Sequence, residues 1–255
     1  MSQIVNRAAT GPFGLTANGG SFQTSTDVAL ATLVGTKWDT SDGRELILVS
    51  TPAATTVAAG YFYSDAALVS TSQGLTVSAF TAASVNGNVP ASFTVTSGSS
   101  AAVAANVYQG GFVTVVSSTG IGQTLRIQGN TAATSAGSYL FTVTLEDNPA
   151  VALSTTSVVN LSPAHGANII ISPAAASLTN AEAGVGLYVI APSSYGFLVS
   201  RGLTSVVAVA AGIAVGNVTV GAGGAGVIFS GVLSILGYNP TAIAASSAGL
   251  VYVSC

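Results

Sequence analysis

Few residues in this chain have a chemical vocabulary, and their spacing limits what they can do. Gly221-Ala-Gly223-Gly-Ala-Gly226 fits the G-x-G-x-x-G pattern and follows a β-branched run at 218–220. A dinucleotide site on that pattern needs a helix opening at the glycines, a βαβ unit and an acid about 20 residues on. No acid follows Glu182, so the run reads as a Gly-rich loop. A phosphate loop needs a Lys after its glycines, and the last Lys is Lys37. His165, in Pro163-Ala-His-Gly-Ala, is the only histidine, hence the only base a Ser-His-Asp triad could use. No G-x-S-x-G elbow accompanies it, and it reads as a loop residue.

The remaining candidates are weaker. Glu146 and Asp147 are adjacent, so a strand pleat turns them to opposite faces, and Asn148-Pro149 marks a strand-end turn there. One His, one Cys and scattered carboxylates make no ordinary zinc set. Cys255 is the only cysteine and the last residue of the sequence; it cannot form an intrachain disulfide and reads as a residue without a role. Asn217-Val-Thr219 has the glycosylation pattern, but no secretion signal gives it meaning. The expectation is a non-enzyme with no catalytic, cofactor-binding or metal-ligating residues.

The elements that would carry such groups are strands. Apolar runs lie at 46–49, 61–63, 75–80, 92–96, 111–116, 124–128, 139–145 and 157–161, and again at 168–171, 186–190, 196–200, 205–209, 218–220, 227–229 and 250–253. Within 139–145, Phe141, Val143 and Leu145 share one face while Thr142 and Thr144 share the other. Period two with one polar face marks a half-buried antiparallel strand. The polar faces carry Thr and Ser rather than Lys and Glu, and hydroxyls tolerate later burial as charges do not. Gly, Asn, Ser and Pro separate the runs, as at Asn86-Gly87 and Gly129-Asn130. Helix signals are confined to the Ala-rich stretch 173–181, with Glu182 near its end, and to 243–250. The pattern predicts an all-β fold, an antiparallel sandwich or barrel-like domain. Residues 1–40, punctuated by Gly11-Pro12-Phe13-Gly14 and Asn18-Gly19-Gly20, read as an extended N-terminal arm ending at Trp38. Residues 41–255 form the β-rich domain. The cluster Asp39, Asp42, Arg44 and Glu45 reads as a solvated turn.

Composition narrows the function. Only 5% of the 255 residues are charged, against roughly 25% in an average soluble protein. Apolar residues make up 49%, and the mean hydropathy is +0.66. So few charges leave little to hold copies apart, so the chain either enters a membrane or has much of its surface covered. The apolar stretch 203–238 is broken by Ser205, Gly212, Gly216, Asn217 and Thr219 and is rich in Val, which argues against a spanning helix. An outer-membrane barrel would carry aromatic girdles and charged loops, and both are missing. The expectation is no membrane. Met1 to Thr16 has Arg7 in its middle and no apolar run of signal-peptide type, which predicts synthesis in the cytoplasm. The five cations Arg7, Lys37, Arg44, Arg126 and Arg201 make no basic stripe, so nucleic acid is not an expected partner.

Asp42-Gly43-Arg44-Glu45-Leu46-Ile47-Leu48-Val49, followed by Ala53-Ala54 and Ala58-Ala59-Gly60, resembles the opening of tailed-bacteriophage capsid decoration (cement) proteins. Ser194-Tyr-Gly-Phe-Leu-Val-Ser-Arg-Gly202 resembles their Tyr-Gly-aromatic strand ending in Arg-Gly. The resemblance covers about 41–70 and 185–235; the middle, 71–184, has no counterpart and reads as an inserted or second β subdomain. It implies a virion protein on the capsid surface. Its partners would be the major capsid protein and further copies of itself, a trimer being one candidate number. Other virion subunits (major shell, tail or fibre) and a surface- or carbohydrate-binding β-sandwich are the alternatives. The sandwich would present exposed aromatics, for which Tyr61, Phe62 and Tyr63 are the candidates.

Overall fold

Stiff β-branched and aromatic side chains, spaced by hydroxyls, pack well on a pleated surface and favour strands. The computed structural model describes residues 26, 28–40, 42–66, 70–83, 89–98, 101–173, 181–208, 216–220, 225–228 and 237–255. In chain order the first strands are β1 (Lys37–Asp39), β2 (Glu45–Ser50) and β3 (Phe62–Ser64). Six follow: β4 (Leu75–Thr81), β5 (Ser92–Thr96), β6 (Phe112–Ser117), β7 (Thr124–Asn130), β8 (Leu140–Leu145) and β9 (Val158–Ser162). Then come β10 (Ile170–Ile171), β11 (Glu182–Gly186), β12 (Tyr195–Val207) and β13 (Gly216–Val220). The last three are β14 (Gly226–Ile228), β15 (Gly237–Asn239) and β16 (Ala248–Ser254). All pairings between these strands are antiparallel. The fold is all-β, and the chain forms two compact units: Met1–Ala67 with His165–Cys255, and Leu68–Ala164.

The second unit is a closed barrel in the order β4-β5-β8-β7-β6-β9, with β9 returning to β4. Its strands alternate as their sequences demand. Phe141, Val143 and Leu145 enter a core with Phe93, Val95 and Ile127, while Thr142 faces outward beside Thr94, their hydroxyls 3.3 Å apart. Tyr108 stacks on Phe141 at 6.1 Å. Buried Asn130 fixes the adjoining loop: its Nδ2 donates to the carbonyls of Ala104 and Thr131, and its Oδ1 accepts from the Tyr108 amide. A buried amide satisfied on both sides specifies one loop conformation.

The first unit is a ten-stranded sheet running β10-β3-β11-β12-β16-β15-β13-β14, with β2 on β12 and β1 on β2. Phe62, Val185, Val199, Leu46 and Trp38 lie in direct register across five strands. This row packs against Val206, Val251 and Val253, and Trp38 meets Phe197 edge-on at 5.2 Å. The alternate residues Ile47, Val49, Tyr63 and Leu198 join Val57, Ile169 and Ile190 in a separate cluster. The sheet here is covered on both faces, which explains why 46–49 and 196–199 read as unbroken apolar runs.

Two bulges shape the sheet. At Gly184 the φ is +147°, and a Cβ there would stand 2.5 Å from the Val199 carbonyl oxygen. Between Val199 and Arg201 the register against β2 slips, leaving Ser200 as the extra residue. A bulge inverts the alternation beyond it. Phe197 and Val199 feed one cluster before the slip, and Val206 and Ala208 feed it afterwards. Arg201, Leu203 and Ser205 therefore turn outward.

Several expectations need correction. The arm does not extend to residue 40: Val28–Leu33 is a 3-10 helix, Leu30 and Val34 are buried, and β1 is part of the sheet. Residues 1–25 of that reading lie outside the described residues. The stretch 243–250 is not helical; Ser246 has φ +53° and β16 begins at Ala248, because the outer half of β12 pairs with that segment. The helix expected at 173–181 falls mostly outside the described residues, and Glu182 opens β11. The runs 196–200 and 205–209 belong to a single strand, β12, as far as Val207, and the strand placed at 186–190 lies at Glu182–Gly186. Residues 165–184, grouped with the middle region, belong to the first unit. Among the described residues no helix is long and apolar enough to cross a membrane.

Candidate functional site

His165 is the first residue of the first unit after the chain returns from the barrel, and Asp65 lies just beyond β3, before the chain departs. His165 Nδ1 donates to Asp65 Oδ2 at 2.7 Å, and the Gly166 amide donates to Asp65 Oδ1 at 2.7 Å. The Asp65 amide donates to the Ala181 carbonyl at 2.9 Å. These are two of a triad's three groups, but the described hydrogen bonds bring no serine hydroxyl to the imidazole. The arrangement works as a clasp. Asp65 had no signal in the sequence, because its partner is 100 residues away.

Glu182 stands opposite Ser64 in the β11–β3 register. Ser172 Oγ donates to its Oε2 at 2.6 Å, while Oε1 and the Ser64 Oγ are buried with no hydrogen-bond partner. Burial pushes the carboxyl up to about 7; the bond from Ser172 opposes this and the nearby Asp65 charge adds to it. Burial also pushes the Cys255 thiol up to about 12, which disfavours the thiolate.

In the charge cluster at the β1–β2 turn, Asp42 pairs with Arg44 and Glu45 with Lys37 of β1. Arg44 holds Asp42 well below the usual carboxylate range through its side-chain hydrogen bond and a 2.6 Å ion pair. Glu45 is partly desolvated, which works to raise it, yet hydrogen bonds from Lys37 and Ser200 leave it below its ordinary value. Glu146 pairs with Arg126 at 3.3 Å. Residues 221–224 of the Gly-rich run lie outside the described residues. The run joins β13 to β14, which are antiparallel neighbours with Val220 opposite Gly226, so no helix opens after Gly226.

What remains is a surface. The inversion at Ser200 brings Leu203 outward, opposite Tyr252 on β16, which is itself opposite Tyr238 on β15. Leu250, opposite Ser205, extends the patch. These four side chains are 47%, 45%, 49% and 53% exposed, in the order Leu203, Tyr252, Tyr238, Leu250. A contiguous apolar patch of this kind marks a contact surface more often than chance exposure does. The Arg201 side chain hydrogen-bonds Tyr252 at its margin. The aromatic candidates named from sequence are not part of it: Phe62 and Tyr63 are buried and Tyr61 is half-buried, because both faces of β3 are covered, one by the cluster around Phe62 and the other by the cluster around Tyr63. The Tyr63 hydroxyl instead accepts from the Ala58 amide at 2.7 Å. Alternation in 250–253 is the signal that the sequence offers for this exposed face, but the bulge that turns Leu203 outward leaves no mark in the sequence.

Compared with protein-family models, curated proteins and solved structures, the chain matches none.

Proposed function

We propose that this chain is a non-enzymatic structural protein that acts by assembly, binding the outside of a phage capsid and stabilising contacts between capsomers. The observation that carries the reading is the outward face of β12, β16 and β15, where Leu203, Tyr238, Leu250 and Tyr252 lie together with no carboxylate among them. The capsid, and with it the major capsid protein as partner and the virion surface as location, comes from the resemblance at 41–70 and 185–235. Apolar burial contributes about 25 cal/mol per Å², and a modest contact repeated over a shell sums to a large stabilisation. Contacts with so little charge keep their strength in high salt, since little of the attraction is screened.

Quantitative mass spectrometry of purified particles from the source tests this. Copy number comparable to the main shell subunit, retained through a 1 M NaCl wash, is the expected result. Absence from particles overturns the capsid assignment. A surface- or carbohydrate-binding module is the second reading, favoured by the cross-strand pair Tyr238 and Tyr252.

A further inference from the structure

We infer that the outward face of β12, β16 and β15 is where two copies of this chain meet, sheet against sheet about a two-fold axis. The inference rests on the preceding reading in one respect only, that this face is an interaction surface; no shell is required.

Area is the first argument. Leu203, Tyr238, Leu250 and Tyr252 are each about half exposed. Together they offer on the order of 400 Å² of mostly apolar surface, and Arg201, Ser205 and the small residues beside them bring this to about 600–700 Å². A stable pairing takes roughly 800 Å² from each partner, so the face approaches the size that a second copy needs.

Charge is the second argument. In a two-fold contact the same patch meets itself, so any net charge at its centre faces its own sign. Here the centre is neutral and the single cation, Arg201, stands at the edge with its side chain bonded to Tyr252. Shape is the third. Leu203, Tyr252 and Tyr238 are in direct register on adjacent strands, with the core side of the same strands filled by Val206, Val251 and Val253. Such a face can pack on its own copy at the usual sheet separation, about 10 Å.

Sedimentation velocity of the full chain between 1 and 100 µM, at 0.15 and 1 M NaCl, tests the inference. The expected result is a dimer, or an even multiple, whose dissociation constant changes little with salt. Leu203→Glu with Leu250→Glu places two anions per copy at the centre and should weaken association at least 100-fold, with circular dichroism and melting temperature kept. Ile121→Glu with Val151→Glu, on the barrel, should leave it unchanged. If the first double variant loses its fold, nitration of wild-type Tyr238 and Tyr252, mapped by peptide mass spectrometry, should fall as protein concentration rises. A monomer at 100 µM, an odd-numbered oligomer, or association undiminished in a folded Leu203→Glu, Leu250→Glu variant overturns the inference. So does protection of the two tyrosines that is independent of concentration, which would assign the cover to the chain's own residues. A monomer that is still abundant in particles would sink the self-contact and keep the assembly reading. A dimer absent from particles would do the reverse.

Discussion

The two halves of β12 are both rich in apolar residues, yet they meet opposite fates. From Tyr195 to Ser200 the strand runs between β11 and β2 with both faces buried, so every position from Gly196 onward is core. From Arg201 to Val207 it runs beside β16, and its side chains alternate outward and inward. One residue, Ser200, separates the regimes, and its hydroxyl donates to Glu45 Oε1 at 2.7 Å. The difference shows that apolar content alone does not identify core: what covers the second face of the sheet decides it. In the first half that cover is Val57, Ile169 and Ile190 from this chain. In the second half it is what the proposed contact supplies.

The largest effect should come from the doubly covered half. Leu198→Ala removes a side chain enclosed with Ile47, Tyr63 and Ile190 and should cost about 2–5 kcal/mol in urea unfolding. A cost below about 1 kcal/mol would break the distinction between the halves.

Next comes the pH response of β11, which flanks that same half. Glu182 has its carboxyl raised from 4.5 to about 7 in the folded state, chiefly by burial. The stability this contributes is fully present below about 4.5, falls as the pH rises, and is lost above about 7, for a total on the order of 3 kcal/mol. Wild-type protein should therefore unfold at lower urea at pH 8 than at pH 5, and Glu182→Gln should remove most of that difference. Equal pH slopes in the two proteins would show that the carboxyl is solvated.

The bulge itself is tested by Gly202→Ala. With φ at +110° and a Cβ placed 2.9 Å from the Arg44 Cα, the substitution should cost about 1–3 kcal/mol. Smallest is Leu203→Ala, three positions beyond the bulge residue. Measured on dilute protein, it should change unfolding by no more than about 0.5 kcal/mol, while weakening self-association. A large loss of stability there would mean that the outer half is already covered within one chain.

The barrel was the more legible unit. In 92–96 and 139–145 one face is apolar and the other carries Thr, and the strands formed there because local pattern and burial agree. The first unit was harder for three physical reasons. Covered on both faces, β2 and the first half of β12 lose the alternation that marks a strand. Gly237–Asn239 and Lys37–Asp39 are too short to show a period, and they are strands only because β16 and β2 offer edges. The segment 243–250 looks helical by composition, and pairing with β12 overrides it. Of the surface, Leu250 and Tyr252 were visible as alternating residues, but their joining with Leu203 and Tyr238 depends on register, which no local pattern encodes. The clasp was invisible for the same reason.

That clasp bears on how the chain finds its fold. Asp65 and His165 must meet across the 99 residues 66–164, and closing a flexible loop scales as (3/2)RT ln n, about 4 kcal/mol at that length before the constant term. The barrel, however, begins and ends on paired strands, with Leu75 opposite Val159. Once it has formed, Leu75 and Val159 are held together, the loop still to be closed shrinks to about a dozen residues, and the closure becomes cheaper by about 2 kcal/mol. If the barrel folds first, a shorter loop is left to close before β10 and β11 pair with β3.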